Sequence, residues 1–136
     1  MCQIETETRP SVLIVFGKAD RRALLSDLFD QEGYRVTASD DGADALAKIG
    51  AQSFDLVISG ILMEDIDGLE LLLRLAEMVP DLPVIVIGDP EIRFNEMYLR
   101  CADSLGAART HSYPPDVSTL LEGAREVINR SRTKPV

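Results

Sequence analysis

The sequence predicts an α/β fold in which five β-strands alternate with five α-helices, a (βα)5 chain that forms a doubly wound three-layer sandwich. Short runs rich in β-branched residues alternate along the chain with longer segments whose apolar residues recur at helical spacing. Several of those runs are hydrophobic throughout, which is typical of parallel strands that helices cover on both faces. Right-handed crossovers between such strands produce the sandwich.

Five segments carry the strand pattern. In chain order they are 11–16, 34–38, 54–59, 83–87 and a weaker 107–112. The first, third and fourth are almost continuously apolar, so we expect these strands to be buried on both faces of the sheet.

The segments between the strands have apolar side chains at intervals of three and four residues, which predicts one buried face on each helix. The five predicted faces are Ala23, Leu24 and Leu28; Ala45, Leu46 and Ile49; Leu69, Leu72, Leu73, Ala76 and Val79; Phe94, Met97, Tyr98, Cys101 and Leu105; and Val117, Leu120, Leu121, Ala124, Val127 and Ile128.

Capping residues mark the expected helix ends. Asp67 is the expected N-cap of the third helix, with Glu70 as its capping-box acid. Asp89-Pro90 is the expected start of the fourth helix, an N-cap followed by a first-turn proline. Gly33 and Gly50 are expected to end the first and second helices.

Length and charge narrow the class of protein. A chain of 136 residues, 46% of them hydrophobic, predicts one folded domain, which we place at 11–129 between a flexible leader, 1–10, and a basic tail, 130–136. The net charge of −9 repels phosphate backbones and anionic lipid, so neither nucleic acid nor membrane is an expected partner. The two cysteines indicate no disulfide framework, and we expect a cytoplasmic protein.

The excess acid lies in residues 1–90, which hold 7 basic and 17 acidic side chains. Clustered carboxylates of this kind can form a metal site or can cap helices. Asp20, however, is interpreted as a first-turn acid of the first helix. His111 has no second ligand at metal-binding spacing and is interpreted as a structural histidine, hydrogen-bonded or exposed.

Several short segments, in their order and spacing, resemble the receiver domain of bacterial response regulators over Ser11 to Asn129. They are Gln31–Val36, Asp41–Leu46, Phe54–Ser59 followed by Asp65–Leu72, Asp81–Val86 and Leu105–Ala107. The resemblance implies a flavodoxin-like sheet with strand order 2-1-3-4-5.

In that family an aspartate at the end of the third strand accepts a phosphoryl group from a histidine kinase, and an acidic pair after the first strand holds Mg²⁺. A hydroxyl, a lysine and a switch aromatic complete the site. The resemblance places the acidic pair on Phe16 and Gly17, the acceptor on Gly60, the hydroxyl on Gly88, the lysine on Tyr113 and the switch aromatic on Thr110.

None of these replacements can do the chemistry of the residue that it replaces, because a hard cation needs oxygen ligands and the acceptor must be a carboxylate. Neighbouring Ser59, Asp65 and Asp67 lie on the wrong face or too far along the chain to substitute. We therefore expect a degenerate pseudo-receiver with no catalytic residue and no bound Mg²⁺, and not an enzyme.

Three glycines, at 17, 60 and 88, are expected to ring the former phosphorylation pocket. Either the pocket is closed by Phe16 and Tyr113, with Met63, or it remains a hollow whose backbone N–H groups accept an anion. We favour closure, because two aromatic residues stand where the family has charged ones. The resemblance also implies a cis peptide bond at Tyr113-Pro114.

The expected function is that of a stand-alone degenerate receiver in two-component-type signalling, which acts through phosphorylation-independent protein–protein interaction. Its expected partner is a histidine kinase, another receiver or an output protein. The candidate partner face, which is also the candidate homodimer face, is built by the fourth helix, fifth strand and fifth helix and carries Arg93, Tyr98, Arg100, Arg109 and Arg125. The alternatives are a conventional phosphorelay response regulator and a small-ligand or anion sensor.

Overall fold

Five strands alternate with five helices in the computed structural model, which describes residues 9–132. The elements are β1 (Ser11–Val15), α1 (Ala19–Gln31), β2 (Arg35–Ser39), α2 (Gly42–Ala51), β3 (Leu56–Ser59), α3 (Gly68–Met78), β4 (Val84–Gly88), α4 (Asn95–Ser104), β5 (Arg109–Ser112) and α5 (Val117–Arg132). The predicted alternation is confirmed.

The strands form one parallel sheet in the order β2-β1-β3-β4-β5, as predicted. Every residue of β1, β3 and β4 is buried, which explains why these strands are apolar throughout. β2 and β5 are the edge strands and are only partly buried.

Two hydrophobic cores lie on opposite faces of the sheet. On one face, α1 and α5 pack Phe29 and Leu120 against strand residues such as Ile58. On the other, α2, α3 and α4 pack residues such as Leu71 and Ala102 against the alternate strand positions. This layering is the predicted three-layer sandwich.

The predicted buried face of α1 is wrong by one position. Leu24 is 53% exposed, whereas Leu25 and Phe29 are buried. Adjacent leucines both fit an apolar stripe, so spacing alone cannot choose between them. The same ambiguity affects α3, where Leu73 is exposed and Leu71, Leu72 and Leu75 form the buried face.

The predicted start and buried face of α4 are also wrong. The helix begins at Asn95 rather than at Pro90, after a bend over residues 89–94. Phe94 and Met97 are 60% and 47% exposed, Cys101 is exposed, and Asn95 and Ala102 are buried instead. The later start rotates the helix, so the predicted stripe faces outward except at Tyr98, which packs against the core.

The other predicted helix ends are partly confirmed. Asp67 caps α3 by accepting a hydrogen bond from the Glu70 amide at 2.8 Å, while the Glu70 carboxylate pairs with Arg74 four residues later. Gly33 follows α1 with φ +92°, a left-handed conformation that favours glycine. Gly50 does not end α2, which continues through Ala51.

Part of each predicted chain end is ordered. The Pro10 carbonyl accepts a hydrogen bond from the Arg35 amide, and α5 continues to Arg132, so residues 130–132 of the predicted tail are helical. The rest of the predicted leader and tail, residues 1–8 and 133–136, lies outside the described residues. Within residues 9–132, no helix is both long and apolar enough to span a bilayer.

Truncation of Leu25 and of its neighbour Leu24 tests the observed face of α1. We expect Leu25→Ala to lower the free energy of unfolding by about 2 to 5 kcal/mol, because it leaves a cavity in the core. Leu24→Ala should change it by no more than about 0.5 kcal/mol, because Leu24 is largely in solvent. Urea unfolding of both variants measures the difference, and equal losses would contradict the observed rotation of the helix.

Candidate functional site

The strands of a parallel sheet all end at one edge, where ligands of open α/β sheets bind. Here that edge, called the C-terminal edge below, is built from the last residues of the strands and the loops that follow them. Because Phe16 and Gly17 follow β1, Gly60 follows β3, Gly88 ends β4 and Tyr113 follows β5, the structure brings the five predicted pocket residues to this edge.

The Phe16 ring occupies the space beside Gly60. Phe16 is 4% exposed, and a Cβ placed on Gly60 would lie 2.8 Å from its Cδ1 atom. The Gly60 amide is held to the Val15 carbonyl by a 2.9 Å hydrogen bond, so the backbone cannot easily move away. A side chain at position 60 would require the aromatic ring to move.

Only a small cavity remains around these residues. It measures about 60 Å³ and is lined mainly by apolar and glycine residues, Phe16, Gly17, Gly60 and Ile87 among them. Pockets that bind drug-sized ligands measure about 300 to 1,000 Å³. The β3–α3 loop lies against Gly17, since a Cβ there would come within 3.3 Å of the Leu62 carbonyl oxygen.

Asn95, the first residue of α4, lies where a side chain at position 88 would be. A Cβ placed on Gly88 would overlap Asn95 Oδ1. That oxygen accepts a 2.8 Å hydrogen bond from the Asp89 amide, and Nδ2 donates to Ser112 Oγ at 3.2 Å. The Asn95 side chain is therefore buried with both of its polar atoms bonded, and it links β4, α4 and β5.

Asp89 does not cap the fourth helix, as the sequence predicted, because α4 begins six residues later. Its carboxylate is buried and its Oδ2 atom lies 2.9 Å from Lys18 Nζ and 2.9 Å from a terminal nitrogen of Arg21. Its Oδ1 atom accepts a 2.9 Å hydrogen bond from the Glu91 amide. Asp89 thus joins the β1–α1 region to the β4–α4 bend.

The ionised form of Asp89 is favoured despite its burial. Desolvation raises the pKa of this carboxyl, but hydrogen bonds from Lys18, the Glu91 amide and Arg21, with the Arg21 charge, outweigh it and hold the pKa below its usual value. Asp89 is therefore a carboxylate at neutral pH and a counter-ion to both cations.

Tyr113, the residue after β5, contacts the group formed by Lys18, Arg21 and Asp89. The Arg21 guanidinium carbon lies 4.1 Å from the Tyr113 ring centroid, a cation–π contact. The Tyr113 amide donates to the Gly88 carbonyl at 2.9 Å, and its peptide bond to Pro114 is cis, as predicted.

Two acids of the β3–α3 loop, Asp65 and Asp67, are engaged elsewhere. Both carboxylate oxygens of Asp65 accept hydrogen bonds from the first amides of α2, at Gly42 and Ala43. Asp67 caps α3. Asp20 lies in the first turn of α1, as predicted. Among residues 9–132, no group of three His, Cys, Asp or Glu side chains is arranged to hold a metal ion.

Thr110 lies in an open groove between α4 and β5. The groove has a volume of about 530 Å³, and Leu99, Arg100 and Ser112 also line it. A second depression of similar volume adjoins it around the start of α4 and is lined in part by Phe94 and Met97. The position to which the resemblance assigned a switch aromatic therefore borders an unfilled groove.

The five residues of the candidate partner face are spread over different surfaces. Arg93 lies over the Phe94 ring, and Arg100 lines the same depression as Phe94. Tyr98 is half-buried against the core formed with α2 and α3. Arg109, on β5, pairs with Glu126 of α5 at 2.6 Å. Arg125, on α5, lies near Tyr34, and its charge partly opposes the rise in the pKa of Tyr34 that burial causes.

The sequence interpretation missed Lys18, Arg21 and Asn95, and it assigned Phe94 to a buried helix face. Lys18 is the N-cap of α1, shortly after the end of β1, and Arg21 lies three residues later in the first helical turn, which places both near the C-terminal edge. That spacing is a usable signal. Phe94 is a non-glycine residue in the left-handed region, with φ +63° and ψ +27°, and nothing in its local sequence predicts this conformation.

His111 is neither hydrogen-bonded at Nε2 nor fully exposed, contrary to the prediction. Its Nε2 atom is buried and has no hydrogen-bond partner among residues 9–132. Burial lowers the pKa of His111, the nearby Arg109 charge lowers it further, and Asp116 partly opposes them.

Comparison with known proteins identifies the class of domain. Residues 12–108 match the response regulator receiver domain family, and the chain therefore belongs to that family. Receiver domains are modules of two-component signalling.

Among its relatives, the chain is 34% identical over 76 residues to the response regulator receiver protein CpdR of Brucella abortus (strain 2308), a match that covers 56% of this chain and 63% of CpdR. It is also 34% identical over 64 residues to the transcriptional regulatory protein GlrR of Escherichia coli (strain K12), covering 47% of this chain and 14% of GlrR. The chain thus matches less than two thirds of the length of either relative.

Solved receiver structures have the same fold. The receiver domain of NtrX from Brucella abortus matches with a TM-score of 0.80 and 27% identity, over 87% of this chain and 98% of that one. A receiver domain protein from Clostridium thermocellum matches with a TM-score of 0.82 and 18% identity, over 90% and 97% of the two chains, which shows a shared fold.

The lowered pKa of His111 predicts a pH dependence of stability. The folded-state value lies below the unfolded value of about 6.5, so the unfolded chain binds the proton more readily. The associated stability is full above about pH 6.5 and is lost as the pH falls through the folded-state value. We expect the free energy of unfolding of the wild type to fall more steeply between about pH 7.5 and 5.5 than that of His111→Gln. Parallel curves from urea titrations would contradict this.

Proposed function

We propose that this receiver domain signals through protein–protein contact and does not accept a phosphoryl group. The observation that carries the proposal is the packing of Phe16 against Gly60. The position of the acceptor carboxylate holds a glycine, and a buried aromatic ring fills the space that a carboxylate there would need. The domain then acts as a non-enzymatic module in a two-component pathway.

The residues at the C-terminal edge do not fit Mg²⁺. A hard cation needs several oxygen ligands, and Phe16, Gly17 and Gly60 supply no carboxylate. Lys18 and Arg21 bring two positive charges to the same edge, and their shared counter-ion is Asp89. A divalent cation placed there would face repulsion from both side chains.

The contacts of three nearby aspartates argue against conventional phosphorylation at one of them. Asp65 is bonded to the start of α2, Asp67 to the start of α3, and Asp89 to two cations. Each would have to give up its contacts to become an acceptor. The small volume of the residual cavity argues against a small-ligand sensor, and the pairing of Lys18 and Arg21, which line that cavity, with Asp89 argues against an anion sensor.

The surface that best suits a protein partner lies at the start of α4. Phe94 and Met97, called the α4 patch below, are 60% and 47% exposed and lie beside the groove that contains Thr110 and Arg100. Exposed aromatic and methionine side chains next to arginine are enriched at protein interfaces. Of the predicted partner-face residues, Arg93 and Arg100 belong to this surface.

A phosphodonor assay tests the absence of phosphorylation. We expect no species heavier by about 80 Da when the protein is incubated with acetyl phosphate and Mg²⁺ and its intact mass is measured. A conventional receiver in the same reaction provides the positive control. A labile adduct at stoichiometric yield would overturn the proposal, and repeating the assay with Asp89→Asn, Asp65→Asn and Asp67→Asn would then identify the acceptor.

Substitution of Phe94 tests the α4 patch. We expect Phe94→Ser to weaken capture of the cognate partner from a lysate of the source organism by at least about tenfold, because a buried aromatic anchor contributes about 2 kcal/mol or more. Leu73→Ser, at a similarly exposed leucine of α3, is the matched control and should bind as the wild type does. Mass spectrometry identifies the retained protein.

Equal capture by the wild type and Phe94→Ser would remove the α4 patch from the proposal. Recovery of a second copy of this chain, lost in Phe94→Ser, would assign the patch to a homodimer.

A further inference from the structure

The C-terminal edge contains a connected set of polar contacts that runs from the start of α1 to the start of α4. Lys18 and Arg21 both bind the Asp89 carboxylate at 2.9 Å. The Asp89 amide donates to Asn95 Oδ1, and Asn95 Nδ2 donates to Ser112. Four elements of the fold, α1, β4, α4 and β5, are thereby joined through side chains.

We propose that Lys18, Arg21, Asp89 and Asn95 form an internal latch that holds the 89–94 bend and the start of α4 in one position. The Asp89 carboxylate supplies the negative charge at an edge where the phosphoryl group of a conventional receiver would supply it. The latch rests on the proposed function in one respect, that no phosphoryl group competes with Asp89 for the two cations.

Burial makes these contacts energetically important. The side chains of Arg21 and Asp89 are each only 13% exposed, and Asn95 is 8% exposed. Breaking a buried ion pair leaves an uncompensated charge, which costs more than the pair itself contributes. Lys18 is 53% exposed and lies at the rim, so its share is smaller.

The bend itself requires such a restraint. Phe94 has a left-handed backbone conformation, which is unfavourable for a residue with a Cβ atom. Its side chain is mostly in solvent, so its own packing contributes little to holding it there. The restraints come from Asp89 at one end, through Glu91 and the Ile92 amide, and from Asn95 at the other.

Glycine at position 88 is a condition for the latch. Asn95 Oδ1 occupies the space that a Cβ at position 88 would need. The residue that replaces the family's hydroxyl is thus the residue that permits Asn95 to reach the Asp89 amide. Loss of the hydroxyl and formation of the latch are two consequences of one glycine.

Amide hydrogen exchange measured by NMR tests the latch in the full chain. In Asp89→Asn we expect the amides of Ile92 and Tyr98, corrected for intrinsic rates, to exchange about tenfold faster than in the wild type, because the ionic contacts with Lys18 and Arg21 are lost. Gly88→Ala should have a similar effect, because its methyl group displaces Asn95. Exchange at buried amides of β1 and β3 should change less than about twofold.

Lys18→Gln keeps the test decisive if Asp89→Asn does not fold, because Lys18 lies at the rim. We expect it to accelerate the same two amides by about twofold to fivefold. The matched controls are Glu70→Gln, which breaks an exposed ion pair on α3, and Gly123→Ala, where a Cβ would make only ordinary contacts. Both controls should leave Ile92 and Tyr98 unchanged.

Wild-type exchange at Ile92 and Tyr98 in both Asp89→Asn and Lys18→Gln would overturn the latch. So would an acceleration spread evenly over the sheet, since that indicates general destabilisation. These results are independent of the phosphodonor assay. A chain that is phosphorylated while the exchange results support the latch contradicts the proposed function alone. A chain that is not phosphorylated while the exchange results contradict the latch overturns the latch alone.

Discussion

The direction of the strands is the constraint on which the rest of the structure depends. All five strands are parallel, so every strand ends at the same edge of the sheet, and helices cover the three central strands on both faces. Whatever follows β1, β3 and β4 must therefore meet there. In this chain the residues at that edge include Phe16, Gly60 and Gly88. The Phe16 ring packs beside Gly60 because Gly60 has no Cβ atom to collide with it. Packing of the ring therefore fills the space beside Gly60.

Electrostatics at the edge follow from the same replacement. Phe16, Gly17 and Gly60 supply no carboxylate after β1 and β3. Lys18 and Arg21 need an anion, and Arg21 is too buried to rely on solvent. Asp89 on the β4–α4 bend is that anion. Its amide and its carboxylate are both engaged, so satisfying the two charges also fixes the path of the backbone into α4. The same residue, Asp89, therefore neutralises the two cations and contacts the backbone at the start of α4.

The sequence predicted the fold because the signals for it are local and repeated. Apolar runs identified the strands, and the resemblance supplied their order, which the sheet confirms. The errors occurred where a local signal competes with a distant one. Asp89-Pro90 is a good helix start by its neighbours alone, but the partner of Asp89 is Lys18, 71 residues earlier in the chain. No pattern within a window of residues contains that contact. The error at Leu24 has a simpler cause, because the helical spacing of apolar residues is compatible with burial of either Leu24 or Leu25.

The strained bend and the closed edge together limit how this domain can transmit a signal. Moving a two-state equilibrium from 1:99 to 99:1 requires about 5.5 kcal/mol of differential binding. On the proposed function, no covalently bound phosphoryl group supplies that energy, and breaking the Asp89 contacts would add to the requirement. Phe94, meanwhile, is displayed in solvent at a backbone cost of about 1 to 2 kcal/mol. Because the backbone of Phe94 is already held in one conformation, less conformational entropy is lost when a partner binds it. On the proposed function, the arrangement therefore favours a constant binding surface over a switch, and any switch is driven by a partner or a ligand.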